Sequence, residues 1–162
     1  MDPDSLGSLA IFDALIGAVR RLDEFGYELY LKHAAPGRTP AGSLAVSGSS
    51  FRIHRKDGTS ERFDGAFILG CSVHQDGARH SVIIFTLILC WTRQEWLVQA
   101  WVEEEDSRRE NMTLDLTDPT EFRASTVSGV VEALKLATDS LEQSVTLPAV
   151  ATRLNAIQSR NA

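Results

Sequence analysis

The feature that most constrains the fold is the run Ser81 to Trp91 (SVIIFTLILCW), which is apolar on both faces of the strand that it predicts. It has about half the length that a membrane-spanning helix requires. Turn signals flank it at Asp76-Gly77 and Arg93-Gln94. The run therefore predicts a central strand that needs cover above and below.

The block Glu61 to Glu103 predicts three consecutive antiparallel strands with this run in the middle. We pair Leu69 with Phe85, and Trp91 with Trp96. These registers place one set of bulky side chains together on the core face of the sheet. The set is Phe63, Phe67, Leu69, Phe85, Leu87, Leu89, Trp91, Trp96, Val98, Ala100 and Val102.

Helices are predicted on both sides of the strand block. The first follows apolar residues at three- and four-residue steps, and its continuation beyond Gly26 stays open. Ser125 or Thr126 can cap a second helix, and Pro148 suits the first turn of a third. The apolar stripe of the first helix is Leu9, Phe12, Ile16, Val19, Leu22 and Phe25.

The connections between the early strands also carry signals. The apolar parity switches across 47–50, which indicates a break between two short strands, and Asp57-Gly58 indicates a tight turn. Pairing Ile53 with Phe63 closes a hairpin there. The whole predicts an α+β fold with an N-terminal helix, a four- to five-stranded antiparallel meander and two C-terminal helices.

Composition limits the classes of function. The chain has 162 residues, 17.8 kDa and a net charge of -6, so we expect a single domain over 1–162 and no nucleic-acid partner. Met1 to Ser5 lacks the features of a signal peptide, so the expected location is cytoplasmic, with no membrane association. Any charge-selected partner would be basic.

The second face of the predicted sheet is apolar at its centre and charged at its margins. The registers place Ile68, Thr86 and Trp101 in one cross-strand row. Three alternatives stay open: the N- and C-terminal helices cover opposite faces, a partner or second copy covers this face, or a ligand occupies space left by small residues such as Gly70. Trp101 is the candidate anchor of an interface.

Catalytic and metal chemistry find little support in the residue pattern. No nucleophile elbow, phosphate-binding loop or dinucleotide signature occurs. Cys71 and His74 lie three apart on a strand, so they point to opposite faces and cannot share a metal. Cys71 and Cys90 are expected to be buried packing residues without a disulfide between them. We predict no enzyme activity, no cofactor and no metal.

The strand EWLVQAWVE at 95–103, its acidic exit and the capped helix that follows resemble the immunity proteins that neutralise bacterial polymorphic toxins. The resemblance implies stoichiometric occlusion of a basic toxin by an apolar anchor or an acidic rim. Combined with the second face, this predicts a set of partner-binding residues. The set is Trp101, Ile68, Ile88, Leu97, Gln99, Glu103, Glu104, Glu105 and Asp106.

Other interpretations remain open. The order of helix, strand meander and helix resembles ubiquitin-conjugating-like and RWD interaction domains, although Cys90 lies inside a strand. Secretion chaperones would use the same open sheet face to dimerise and to capture an extended peptide. A small-molecule-binding or catalytic domain would instead place a pocket between the sheet and a helix.

Overall fold

The structure is a computed structural model that describes residues 3–33, 43–74, 81–106 and 112–160. Within these ranges, it describes the side chains of residues 9–33, 43–73, 82–105 and 113–156. The prediction of an α+β fold with an N-terminal helix, an antiparallel sheet and two C-terminal helices is confirmed. The elements of the described residues are α1 Pro3–His33, β1 Ser43–Ser47, β2 Phe51–His54, β3 Ser60–Phe63, β4 Gly65–His74, β5 Ser81–Trp91, β6 Trp96–Asp106, β7 Met112–Asp115, β8 Thr120–Ala124, α2 Val127–Gln143 and α3 Pro148–Arg160.

Six of the described strands form the main sheet, in the order β1-β4-β5-β6-β7, and β8 pairs with β6 on the same side as β7. β7 pairs with Glu103 to Asp106 and β8 with Trp96 to Ala100, so two short strands share one edge of β6. β2 and β3 form a separate two-stranded hairpin. The sheet thus has more strands than the four or five expected, because β8 was not predicted.

The pairing of the central strands is partly as predicted. Trp91 pairs with Trp96, as expected. Leu69 pairs with Leu87 and not with Phe85, a slip of two residues. Alternation of side chains sets which face each residue occupies, and a two-residue slip leaves that choice unchanged. In the predicted row, the pairing of Thr86 with Trp101 is therefore confirmed, but Gly70 takes the place of Ile68, which pairs with Ile88.

The β2–β3 hairpin is separate from the main sheet, whereas the sequence predicted a single antiparallel meander. Its turn at Asp57-Gly58 is confirmed, with Gly58 at φ 88°, but Ile53 pairs with Glu61 and Phe51 with Phe63. A bend at Asp64 separates β3 from β4. Since this bend changes the direction of the chain, Phe63 packs in the cluster of the second face. Its assignment to the core face was wrong.

All three helices pack on one face of the sheet. A single buried cluster joins residues of α1, α2 and α3 to the core face, including Leu22, Leu134 and Leu154. Arg21 of α1 ties the helices together by hydrogen bonds to Thr138 (2.7 Å) and Glu142 (2.8 Å) of α2. The alternative in which the helices cover opposite faces is wrong, since the hairpin covers part of the other face.

The first helix runs through Gly26 to His33, which resolves the question that the sequence left open. The side of the helix that is buried differs from the predicted side. Leu9 and Phe12, which belong to the predicted apolar stripe, are 54% and 52% exposed. Among residues 9–33 of this helix, the buried ones are Ile11, Leu15, Ala18, Leu22, Phe25, Gly26, Leu29 and His33.

The start of each C-terminal helix agrees with the prediction. Thr126 caps α2, where its hydroxyl accepts a hydrogen bond from the backbone N–H of Gly129 at 3.1 Å. Pro148 is the first residue of α3. Among the helices of the described residues, none combines the length and apolarity needed to cross a membrane.

Candidate binding groove

The second face of the sheet is covered in part by the β2–β3 hairpin. Ile53 and Phe63 of the hairpin are buried against β4, β5 and β6. This smaller cluster leaves Ile68 and Trp101 half-buried. The hairpin therefore shields one part of the face and leaves Trp101 at the margin of the cover.

A groove of about 490 Å³ lies where the hairpin ends. Its floor is formed by Ile88, Gln99 and Trp101 of the sheet, and its walls come from the hairpin and from the segment between β7 and β8. The lining residues are Phe51, Arg52, Ile53, His54, Arg55, Lys56, Asp57, Ile88, Gln99, Trp101, Glu103, Asp115, Asp118, Pro119 and Glu121.

The charges of the groove are unevenly distributed. Five carboxylates and three Lys or Arg side chains line it, so its net charge is negative. Lys56 lies 3.4 Å from Asp118 and 3.8 Å from Asp115, joining the hairpin to the opposite wall through exposed side chains. Exposed ion pairs of this kind contribute little to stability, so they present only a weak barrier to a ligand that competes for the same carboxylates.

Trp101 and Glu103 form a pair at one end of the floor. The indole Nε1–H of Trp101 donates a hydrogen bond to Glu103 Oε2 at 3.2 Å. Burial raises the pKa of the Glu103 carboxyl above its usual value; the hydrogen bond from Trp101 opposes this, and the carboxylates of Asp115 and Glu105 raise it further. A cation beside Glu103 would relieve this penalty, because it stabilises the ionised carboxylate.

An ion-pair network, formed by Arg55, Glu61, Glu121, Arg123 and Glu95, holds the hairpin against the sheet. Arg55 donates to Glu61 at 2.6 Å and to Glu121 at 2.7 Å, and Arg123 contacts Glu61 and also Glu95. Hydrogen bonds from the arginines hold the pKa values of Glu61 and Glu121 below their usual range. The position of the hairpin, and with it the shape of the groove, depends on these charged contacts.

The structure brings four of the predicted partner-binding residues together at the groove: Ile88, Gln99, Trp101 and Glu103. Ile68 belongs to the neighbouring cluster. Leu97 is fully buried in that cluster, where it supports the face and has no access to a partner.

The acidic run Glu103 to Asp106 does not form one rim. Glu103 lines the groove, whereas Glu104 points to the opposite face, where it lies 3.5 Å from Arg153 of α3. Glu105 is exposed on β6 opposite Thr113, and the side chain of Asp106 lies outside the described residues. Alternation along a strand separates neighbouring carboxylates in this way.

Sequence reasoning missed the walls of the groove. Arg55, Lys56 and Glu121 reach it only because the hairpin folds over the sheet and β8 pairs with β6. One signal was available: a register that pairs Ile53 with Phe63 also places Arg55 opposite Glu61. These two residues do form an ion pair. The alternation of Thr120 to Ala124 would have indicated β8.

Gly70, a small residue of the second face, lies in close contact with the neighbouring strand. A Cβ atom added at Gly70 would lie 2.7 Å from the carbonyl oxygen of Phe85, so Gly70 allows the neighbouring strand to approach.

Cys71 and Cys90 are free and buried, as expected, and burial raises the pKa of each thiol to about 12. Within the described ranges, no group of three His, Cys, Asp or Glu side chains is arranged to hold a metal.

Comparisons with known proteins add no identity. A scan against protein-family models finds no match, and comparisons with curated proteins and with solved structures find no significant match either. We therefore base the proposed function on the groove and its charges.

Proposed function

We propose that the chain is a cytoplasmic protein-binding module that holds a segment of a partner protein in the groove beside Trp101. The observation that carries this proposal is an aromatic side chain left half-buried on a sheet face that the hairpin covers only in part, at the floor of an open groove. Aromatic anchors surrounded by polar residues contribute most to binding energy at protein interfaces.

The charges favour a partner segment that carries Lys or Arg. A cation placed over the Trp101 ring would make a cation–π contact and would also lie near the Glu103 carboxylate. Asp115 and Asp118 add negative charge on the neighbouring wall. A basic segment would thus gain from the aromatic face and from carboxylates whose present partner, Lys56, is 69% exposed.

Among protein-binding modules, we propose an immunity-like inhibitor of a cognate toxin. The support is the net charge of -6 together with the acidic groove, since steering and occlusion of a basic toxin surface require this complementarity. In this mechanism the module adds no chemistry. It covers a basic surface that the toxin needs for its own activity.

Site-specific photocrosslinking tests the proposal. A photoreactive amino acid replaces His54, an exposed residue of the groove wall, and a matched variant carries it at Leu136, which is 42% exposed on α2. We expect a discrete crosslinked protein from His54 in host lysate and none from Leu136. Identification by mass spectrometry then provides the partner for purified binding measurements.

With the purified partner, Trp101→Ala should weaken binding by about 30-fold, as expected for the loss of an anchor worth about 2 kcal/mol. Leu136→Ala serves as the control and should change the affinity less than about twofold. If expression of the partner alone arrests growth, wild type should restore growth and Trp101→Ala should restore it less. If the partner binds Trp101→Ala and Leu136→Ala equally well, the groove is not its binding site.

A small-molecule-binding function is the second candidate, and the size of the groove favours it. The volume of about 490 Å³ falls within the range of about 300–1,000 Å³ that is usual for small-molecule sites. Native mass spectrometry of protein purified from its host would detect a bound molecule. A ligand lost in Trp101→Ala, without a protein crosslinked at His54, would favour this candidate.

A further inference from the structure

The outer face of α1 is apolar at both ends although it points away from the core. Leu9 and Phe12 are 54% and 52% exposed, and Tyr27 and Leu31 are 50% and 60% exposed. Ile16 between them is half-buried. Isolated exposed apolar residues are normal on a protein surface, but a stripe along one helix is a recurrent feature of interaction surfaces.

The stripe is continuous by helical geometry. At 3.6 residues per turn, positions 12, 16, 20, 23, 27 and 31 fall within an arc of about 100°. Two charged residues, Arg20 and Asp23, occupy its middle and both are exposed. Over a length of roughly 28 Å, the outer face is therefore apolar at each end and charged in the middle.

This arrangement of apolar and charged residues allows two copies of α1 to complement each other. When two copies of α1 run antiparallel and Arg20 of one faces Asp23 of the other, Phe12 faces Leu31 and Ile16 faces Tyr27. The twofold axis repeats each pair, so the interface has two ion pairs at its centre and apolar contacts at both ends. Asp13 faces Tyr30 in this register, and Glu24 faces Val19, so no two carboxylates oppose each other.

A parallel arrangement lacks this match. It would place Arg20 against Arg20 and Asp23 against Asp23, which costs energy in both contacts. The charges thus select one orientation and one register for a second copy of the chain.

We propose that the outer face of α1, from Phe12 to Leu31, is the interface of an antiparallel homodimer. The groove beside Trp101 lies on the other side of the sheet, so both surfaces can be occupied together. A contact made by one helix of each copy is small, below about 1,200 Å². We therefore expect the dimer to depend on concentration.

Sedimentation equilibrium of the purified chain from about 1 to 500 μM tests the proposal. Wild type should form a dimer within this range, and Phe12→Glu should raise the dissociation constant at least about 30-fold. Since Phe12 is half exposed, the variant should keep its circular dichroism spectrum and melting temperature. Leu136→Glu, on the exposed part of α2, is the matched control and should dimerise as wild type does.

A charge-exchange experiment tests the register. Arg20→Asp or Asp23→Arg alone places like charges opposite each other and should abolish the dimer. An equimolar mixture of the two variants should form a heterodimer, because each chain then meets the opposite charge at both positions. Asp23 also makes an interaction within its own chain, so circular dichroism must confirm that Asp23→Arg is folded.

Four results would contradict the proposal or its register. A wild-type chain that is monomeric at 500 μM has no such dimer. A dimer that is unaffected by Phe12→Glu uses another surface, and loss of the dimer in Trp101→Ala would assign it to the groove face. If the mixed variants stay monomeric while both are folded, the Arg20–Asp23 register is wrong.

Discussion

The two faces of the main sheet are covered in different ways. On the core face, three helices bury a continuous cluster in which Phe85, Leu87 and Leu89 have no exposed surface. On the second face, a two-stranded hairpin provides the cover with Ile53, Phe63 and half-buried Phe51. Ion pairs of Arg55 with Glu121 and of Arg123 with Glu61 hold that hairpin against the sheet.

This difference separates stability from binding. The core face uses apolar burial, which involves no titratable charge and therefore depends little on pH. The second face uses a smaller apolar cluster with a charged margin, and its incomplete cover creates the groove at Trp101. We expect the hairpin to be the less stable cover, and the groove beside it is the surface that we propose for binding.

The largest expected effect contrasts two phenylalanines. Phe85 is fully buried and packs edge to face with Phe25 at a centroid distance of 5.1 Å, so Phe85→Ala should lower the free energy of unfolding by about 3–5 kcal/mol. Phe51 is half-buried on the hairpin, and Phe51→Ala should cost only about 1–2 kcal/mol. Urea unfolding measures both values.

Equal losses in these two variants would break the comparison. They would mean that the hairpin is as integral to the cooperative core as the helices are. An unchanged dependence of the unfolding free energy on urea concentration would confirm that each variant unfolds from a comparably compact native state.

A smaller effect is expected at the ion pairs of the hairpin. The pKa of Glu61 is lowered mainly by the hydrogen bond from Arg123, so its ionised form contributes stability above the usual pKa of 4.5, and this contribution is lost as the pH falls through the folded-state pKa. Glu61→Gln should cost about 1 kcal/mol at pH 7 and much less at pH 3. Urea unfolding at both pH values checks this.

The control for this prediction is Asp118→Asn. Asp118 is 90% exposed and pairs with Lys56 at 3.4 Å, so its loss should change stability by less than about 0.5 kcal/mol. A cost for Glu61→Gln that stays constant from pH 7 to pH 3 would show that Glu61 acts through packing and not through its charge.

The effect expected at Glu103 is small and opposite in sign to that at Glu61. Because burial raises its pKa, the neutral form is favoured in the folded state; this contribution is present below the usual pKa of 4.5 and is lost as the pH rises through the folded-state value. Glu103→Gln should therefore leave stability unchanged or raise it by less than about 1 kcal/mol at pH 7. A clear loss of stability at pH 7 in urea unfolding would contradict this.

Much of the fold could be predicted because its signals are local. The apolar run of β5, the cap at Thr126 and the turn at Asp57-Gly58 each depend on neighbouring residues, and all three were located correctly. The register of β4 against β5 was wrong by two residues. An alternating pattern repeats every two residues, so it does not distinguish such a slip.

The candidate site could be predicted only in part. Trp101, Ile88, Gln99 and Glu103 were placed on the second face because strand alternation determines it. Arg55, Lys56, Asp115, Asp118 and Glu121 could not be assigned to the same site, since they come from separate segments. Their meeting depends on the bend at Asp64 and on the pairing of β8.

By itself, the sequence determined the class of fold, the position of most elements and the two-sided burial of β5, since these follow from hydrophobic period and local backbone preference. Only the tertiary structure decided that all three helices share one face and that a hairpin covers part of the other. Those choices depend on contacts between residues far apart in the chain, whose free energies no local pattern records.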